Sequence, residues 1–492
     1  MSAPSLVRSS APAAELLLRD VHLLDPATGV DGRFDVLVRG GRIAQLGAPG
    51  TLSPETLSPA APATGRAAGE REIVEGEGRL YALPAFFDPH VHLRSPGQEH
   101  KEDIESGTRA AAAGGYGAVI AMPNTDPPID SPELLRSVRE TAVAQAHVPV
   151  GNLAALTRVL DGERLTDMDG LREQGALGFT DDGHPVANAG VLREALQRQR
   201  ECGGTIALHE EDRSLSRGGA MHEGALSAEL GIPGVPCSSE ATMVARDAVL
   251  AGSEGARVHF QHLSCIASVE AVAAAKADGA AVSAEATPHH LLLTEEAVRG
   301  IRSEAGVVGA DGGGVEGNGD GMDTRAKMNP PLATEADRKA LVEALRAGTI
   351  DCVATDHAPH AQAEKALPFT EAPMGTTGLE TAFAALYTEL VLPGVLELGV
   401  LLERMTAGAA LFGLTHPAIA LGAEANIALL DLDAEWVAGE HGWQSRSANC
   451  CFAGRRLRGK VLLTVAAGAV AYRAQVDGVD THTPGTNRAV AV

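Results

Sequence analysis

The chain has 492 residues, 45% hydrophobic and 21% charged, which is enough for one large domain and a smaller one. Its net charge of −24 argues against nucleic acid or an anionic membrane as partner, and it means that an acidic substrate needs local cations. Six cysteines without a C-x-x-C pair, and no apolar run near the roughly 18–20 residues of a membrane span, point to a reduced, cytoplasmic protein.

Residues 1–14 contain Arg8 but no apolar h-region, and read as a loose, disordered tail rather than a signal peptide. From 15 to 49 short apolar runs alternate with turns, which predicts small antiparallel strands. Residues 51–70 are rich in Pro, Ala and Thr and read as a solvated loop. An apolar run at 83–87 then leads into Phe87-Asp88-Pro89-His90-Val91-His92-Leu93-Arg94. Strand side chains alternate faces, so His90 and His92 point the same way, with Arg94 next on that face. Two imidazoles so placed can grip a divalent metal, and Arg94 can hold an anion beside it.

Across 84–420 the pattern becomes apolar strand, polar loop, amphipathic helix, repeated. Strands are expected at 118–122, 148–153, 176–180, 205–208, 257–261, 280–284 and 351–355, with helices such as 101–113, 132–146 and 335–347 between them. With the strand ending near 89 this gives eight strand–helix units, an α/β fold of the (β/α)8 TIM-like barrel kind. An insertion at 303–321 is nearly half glycine and reads as a surface loop. Residues 421–475 return to short strands, expected to pair with 15–83 in a composite β-sandwich built from both chain ends. The tail 476–492 is polar.

Active sites of such barrels lie at the C-terminal strand ends. Those positions hold His90, His92, Asn124, the pair Asp181-Asp182, His209, His262 and Asp356. Each has an ordinary explanation by itself, as turn, helix cap or strand-end hydrogen bonder. Their shared position at one rim does not. Four imidazoles and two carboxylates are what a pair of zinc-like ions requires: His90, His92 and Asp356 on one, His209 and His262 on the other, with one carboxylate bridging. Metals so held lower the pKa of a water between them.

Six blocks carry a resemblance: His90-Val91-His92-Leu93-Arg94, Met122-Pro123-Asn124-Thr125, Phe179-Thr180-Asp181-Asp182-Gly183, Thr287-Pro288-His289-His290, Lys327-Met328-Asn329-Pro330-Pro331 and Ala354-Thr355-Asp356-His357-Ala358-Pro359-His360. In this order they resemble the signature blocks of class I dihydroorotase, of the amidohydrolase superfamily. The resemblance runs from about 15 to 475 and implies a zinc-dependent hydrolase of cyclic amides. Its reaction would be reversible cyclisation of N-carbamoyl-L-aspartate to L-dihydroorotate in pyrimidine biosynthesis. It makes His90 and His92 ligands of the first zinc, Asp182 the bridge, His209 and His262 ligands of the second, and Asp356 both ligand and catalytic acid/base. Substrate contacts are implied for His92, Arg94, Asn124, Asn329 and His360, and for the backbone at Met374 and Gly375. One or two zinc ions fit this pattern, two better. It is also compatible with a homodimer and with association with aspartate transcarbamoylase.

Two other readings compete. Hydantoinases, dihydropyrimidinases and allantoinases are similar but bridge their metals with a carboxylated lysine. This chain has no lysine between Lys101 and Lys276, the span that holds the third to fifth barrel strands. A non-catalytic, dihydroorotase-like scaffold for the transcarbamoylase would lack metal ligands, whereas all six are here.

Overall fold

The computed structural model describes residues 5–9, 11, 13–52, 72–300, 302–303, 306–307, 321–415 and 418–474. Most of the 51–70 loop, most of the 303–321 insertion and the tail from 475 lie outside the described residues. Eight parallel strands pair in chain order: Phe86–Val91, Tyr116–Ala121, Val150–Ala155, Gly178–Thr180, Thr205–Leu208, Val258–Phe260, Val282–Ala286 and Cys352–Val353. The ring closes just past the eighth strand, where Val91 bridges His357 and the His92 N–H donates to the His357 carbonyl at 2.9 Å. Every residue of the first three strands is buried, which is why none of them alternates apolar with polar over its length.

Helix starts are set by side-chain caps. Asp103 accepts the Ser106 N–H ahead of Ile104–Ala113, Ser131 caps Pro132–Gln145 and Thr334 caps Glu335–Ala347. The first helix therefore begins at 104 and not at 101 as the pattern suggests, because Asp103 takes the cap position.

The strands at the two chain ends form one further eight-stranded sheet. Its halves join where Tyr81–Pro84 pairs antiparallel with the start of Ile427–Val437. Leu16, Leu18, Val36, Ile427, Leu429 and Val465 share its core; in place of the expected β-sandwich, strands from both chain ends hydrogen-bond into one sheet. The N-terminal segment differs from the loose tail expected. Val7 is buried and exchanges both backbone hydrogen bonds with Val150, at 2.8 and 2.9 Å, which extends pairing to the third barrel strand.

Two acids pin residues 444–446 against the barrel, Glu102 buried and Glu380 half-buried. Glu102 accepts from the Ser445 hydroxyl, from the Arg446 N–H at 3.0 Å and from His357 Nε2 at 3.2 Å, so it also steadies the segment that closes the ring. Glu380 accepts from the Gln444 and Ser445 N–H groups, at 3.0 Å each. Burial pushes the Glu380 carboxyl up from 4.5 to about 7. The folded chain then holds a proton that the unfolded chain releases, so this group's contribution is full below pH 4.5 and is lost as pH rises to about 7. Glu380→Gln should therefore gain stability over the parent between pH 5 and 8, by up to about 3 kcal/mol in urea melts. A pH-independent difference would contradict this account of Glu380.

Candidate metal centre

His90, His92, Asp182, His209, His262 and Asp356 are all buried, and they meet at the C-terminal mouth of the barrel. His90 Nε2 lies 3.6 Å from Asp182 Oδ1 and 3.5 Å from Asp356 Oδ1. His92 Nε2 lies 3.0 Å from Asp356 Oδ1 and 3.6 Å from Asp182 Oδ2. From the other side, His209 Nδ1 and His262 Nε2 come within 3.7 and 3.8 Å of Asp182 Oδ1, and are 2.9 Å from each other. Asp182 thus touches both sets.

These spacings suit a cation. Zinc bonds of 2.0–2.1 Å in a tetrahedron separate neighbouring donors by about 3.3 Å. The buried His90 Nε2 has no hydrogen-bond partner among the described residues, although two carboxylates face it. His90, Asp182 and His262, and likewise His90, His92 and Asp356, have donor atoms within 4.8 Å of one another. The electrostatics agree. Burial alone would raise Asp182 and Asp356, yet the imidazoles around them hold both well below the ordinary carboxylate range. Burial would lower His90, but Glu285 and Asp182 outweigh it and keep it raised. The pocket is short of positive charge, and His90 is where it is felt.

Asp181, the alternative bridge, is used otherwise: it accepts from the Leu156 and Thr157 N–H groups at 2.9 Å each and from the Thr157 hydroxyl. Neighbours on a strand end point to opposite faces, which is how the pair divides its work.

The sequence did not reveal what aims the donors. Glu285 Oε1 accepts from His90 Nδ1 at 2.6 Å, which fixes the tautomer and leaves Nε2 for the centre. Its Oε2 accepts from His259 Nε2 at 3.0 Å, while Ser283, two residues back on the same strand face, meets His259 Nδ1 at 2.8 Å. His259 thus supports the site by holding Glu285 in place. The signal for Glu285 was there, a lone acid in the buried strand Val282–Ala286. Asp88 also went unread: it accepts from the Thr355 hydroxyl at 2.6 Å and so ties the first strand to the residue before Asp356. His290 bridges Thr287 and the Pro330 carbonyl, each at 2.9 Å, and so supports the turn beside Asn329.

Backbone strain marks the same place. Arg94, His262 and Asp356 have φ of +56°, +32° and +45°, a region that costs a non-glycine residue on the order of 1–3 kcal/mol. The His262 N–H donates to Glu285 Oε1 at 3.3 Å, part of what holds this conformation.

The expected substrate contacts are more mixed. Asn124 accepts from His92 Nδ1 and donates to Asp182 Oδ2, both at 2.9 Å, so here it orients two candidate ligands. Asn329 Nδ2 lies 3.3 Å from His209 Nε2 and 3.2 Å from Glu211 Oε2. Arg94 Nε donates to the Pro359 carbonyl at 3.2 Å, and its Nη2 is 3.5 Å from His360. Burial and Arg94 push His360 down to about 2, so its imidazole is neutral and donates to the Met374 carbonyl at 2.8 Å. The Gly375 N–H is engaged by the Lys327 carbonyl at 2.8 Å. With φ +135°, Gly375 has no room for a Cβ, which would lie 2.8 Å from Ala358 Cβ and 3.0 Å from His360 Nε2.

Comparison with known proteins adds three findings. The model of a family described as "Dihydro-orotase-like" matches residues 78–271. The chain is 39% identical over 460 residues to a dihydroorotase of Syntrophotalea carbinolica, covering 93% of this chain and 99% of that one. It is 43% identical over 404 residues to a dihydroorotase of Macrococcus caseolyticus, covering 82% of this chain and 90% of that one. Among solved structures, an L-hydantoinase (dihydropyrimidinase) from Arthrobacter aurescens superposes with a TM-score of 0.74 at 23% identity, over 93% of this chain and 95% of that one. A dihydropyrimidinase from Brevibacillus agri gives 0.74 at 21%, over 94% and 95%. These two likenesses establish the barrel fold.

Glu285→Gln keeps the shape of the side chain but removes one acceptor and the charge. Its affinity for metal should fall by about 10–100-fold in chelator competition, with an unchanged far-ultraviolet circular dichroism spectrum. Undiminished affinity would contradict the aiming role given to Glu285.

Proposed function

The chain belongs to the dihydroorotase family, and from that premise we propose that the barrel mouth catalyses reversible cyclisation of N-carbamoyl-L-aspartate to L-dihydroorotate and water, within pyrimidine biosynthesis. The observation that supports this reading most is the convergence of six donor side chains on one buried space in a chain with full-length dihydroorotase relatives.

His90, His92 and Asp356 would hold one zinc ion and His209 and His262 a second, with Asp182 shared between them. Bound there, such ions supply Lewis acidity toward the ring carbonyl and lower the pKa of water. The chain's own groups do the rest. In ring opening, the Asp356 carboxylate accepts the proton of the attacking water and returns it to the departing ring nitrogen. Cyclisation reverses both transfers. Its depressed pKa keeps Asp356 ionised at the start of that sequence. Arg94 pairs with the substrate carboxylate, supplying the local cation that a chain of net charge −24 needs. The neutral His360, and Asn329 on the opposite wall, orient the rest of the substrate, with His92, Asn124 and the Met374–Gly375 backbone completing the pocket. The reading includes a cytoplasmic location, and no helix of the described residues is long and apolar enough to cross a membrane. A homodimer and docking to aspartate transcarbamoylase are compatible with it and rest on the family alone.

Hydantoinase chemistry is the second reading, favoured by the superposition on hydantoinases alone. The lysine-free stretch between Lys101 and Lys276 weighs against it.

Two measurements test the proposal. Asp356→Ala should lower dihydroorotate hydrolysis by at least about 10³-fold while circular dichroism stays unchanged, and near-parental turnover would remove the mechanism. In a panel of cyclic amides, the purified protein should open dihydroorotate and leave hydantoins and dihydrouracil intact; the reverse preference would favour the second reading.

A further inference from the structure

We propose that His222, Cys237 and Asp337 form a further metal site, apart from the barrel-mouth centre and suited to a thiolate-binding divalent ion such as zinc. The residues come from three elements. His222 ends the short strand Met221–His222, which pairs in parallel with Gly234–Val235. Cys237 opens the helix Cys237–Glu254, and Asp337 lies in the first turn of Glu335–Ala347. One donor atom from each lies within 4.8 Å of the others, and His222 and Asp337 are buried.

Local bonding leaves the group ready for an ion. Asp337 is held in place by the Ile266 N–H, at 3.0 Å on Oδ1, and by the Thr334 hydroxyl, at 2.5 Å on Oδ2. Oδ2 also accepts the Thr334 N–H at 3.3 Å, so Oδ1 is the oxygen with a lone pair left for an ion. A cavity of about 20 Å³ is lined by His222 and Cys237 together with Glu210, Glu211 and Asn329, room for one water-sized occupant. The buried Cys265 lies beside the group, its Sγ 3.8 Å from the Cys237 carbonyl. A set of imidazole, thiolate and carboxylate selects zinc over the hard ions magnesium and calcium, which prefer oxygen.

The location gives the ion a role. Glu211 and Asn329 line the cavity and also contact each other, and Asn329 lies 3.3 Å from His209 Nε2. An ion at His222 would brace the wall behind His209 by joining the loop that follows the fifth barrel strand to two helices.

Cobalt distinguishes the sites, because a thiolate ligand gives cobalt(II) a near-ultraviolet charge-transfer band that nitrogen and oxygen ligands do not. The barrel-mouth donors are all nitrogen and oxygen. Full-length protein stripped of metal and reloaded with cobalt(II) alone should show that band and bind one equivalent beyond those at the barrel mouth. Cys237→Ser should lose the band and that equivalent while retaining turnover, and His222→Gln should lose the same equivalent. Absence of the band in the parent protein, or a band that survives Cys237→Ser, would overturn the proposal.

Discussion

Carboxylates buried out of water must be met by positive charge, and this constraint organises the molecule. Asp182, Asp356 and Glu285 lie buried at the barrel mouth with four imidazoles around them. Stripping solvent from a charged group costs several kcal/mol unless partners compensate. The imidazoles supply part of that compensation, and the orphaned His90 Nε2 between two carboxylates shows where a cation completes it. The surroundings are arranged to keep the donors aimed inward: Glu285 on His90, Ser283 on His259, Asn124 between His92 and Asp182, Asp88 on Thr355. Strained backbone at His262 and Asp356 is what that aim costs locally.

Much of this was legible in the sequence, for a physical reason. Barrel strands buried on both faces are mainly apolar, so polar residues gathered at their C-terminal ends stand out. His90, His209, His262 and Asp356 each follow an apolar run within a few positions, and the sheet shared by both chain ends matches the strand-like runs there. What escaped depends on contacts between distant segments. Glu285 bonds His90 across 195 positions, and no local pattern encodes that. The separate work of Asp181 and Asp182 rests on which face of a strand end each occupies. Val7 seemed part of a loose tail because a single apolar residue carries no period, yet one backbone pairing holds it.

The fold is common to enzymes that open different cyclic amides, so it does not select among them. No lysine occurs from 102 to 275, and Asp182 lies 3.6–3.8 Å from imidazole nitrogens of both pairs. Arg94 and His360, packed against each other and against the Gly375 turn, form the polar wall that a carboxylate-bearing substrate would meet.

The account stands on metal being held between these side chains. Anomalous diffraction at the zinc absorption edge, from crystals of the purified active protein, tests it most directly. Peaks on both sides of Asp182, one against His90, His92 and Asp356 and one against His209 and His262, are the expected result. An active crystal with no peak in bonding distance of Asp182 or His262 would contradict it.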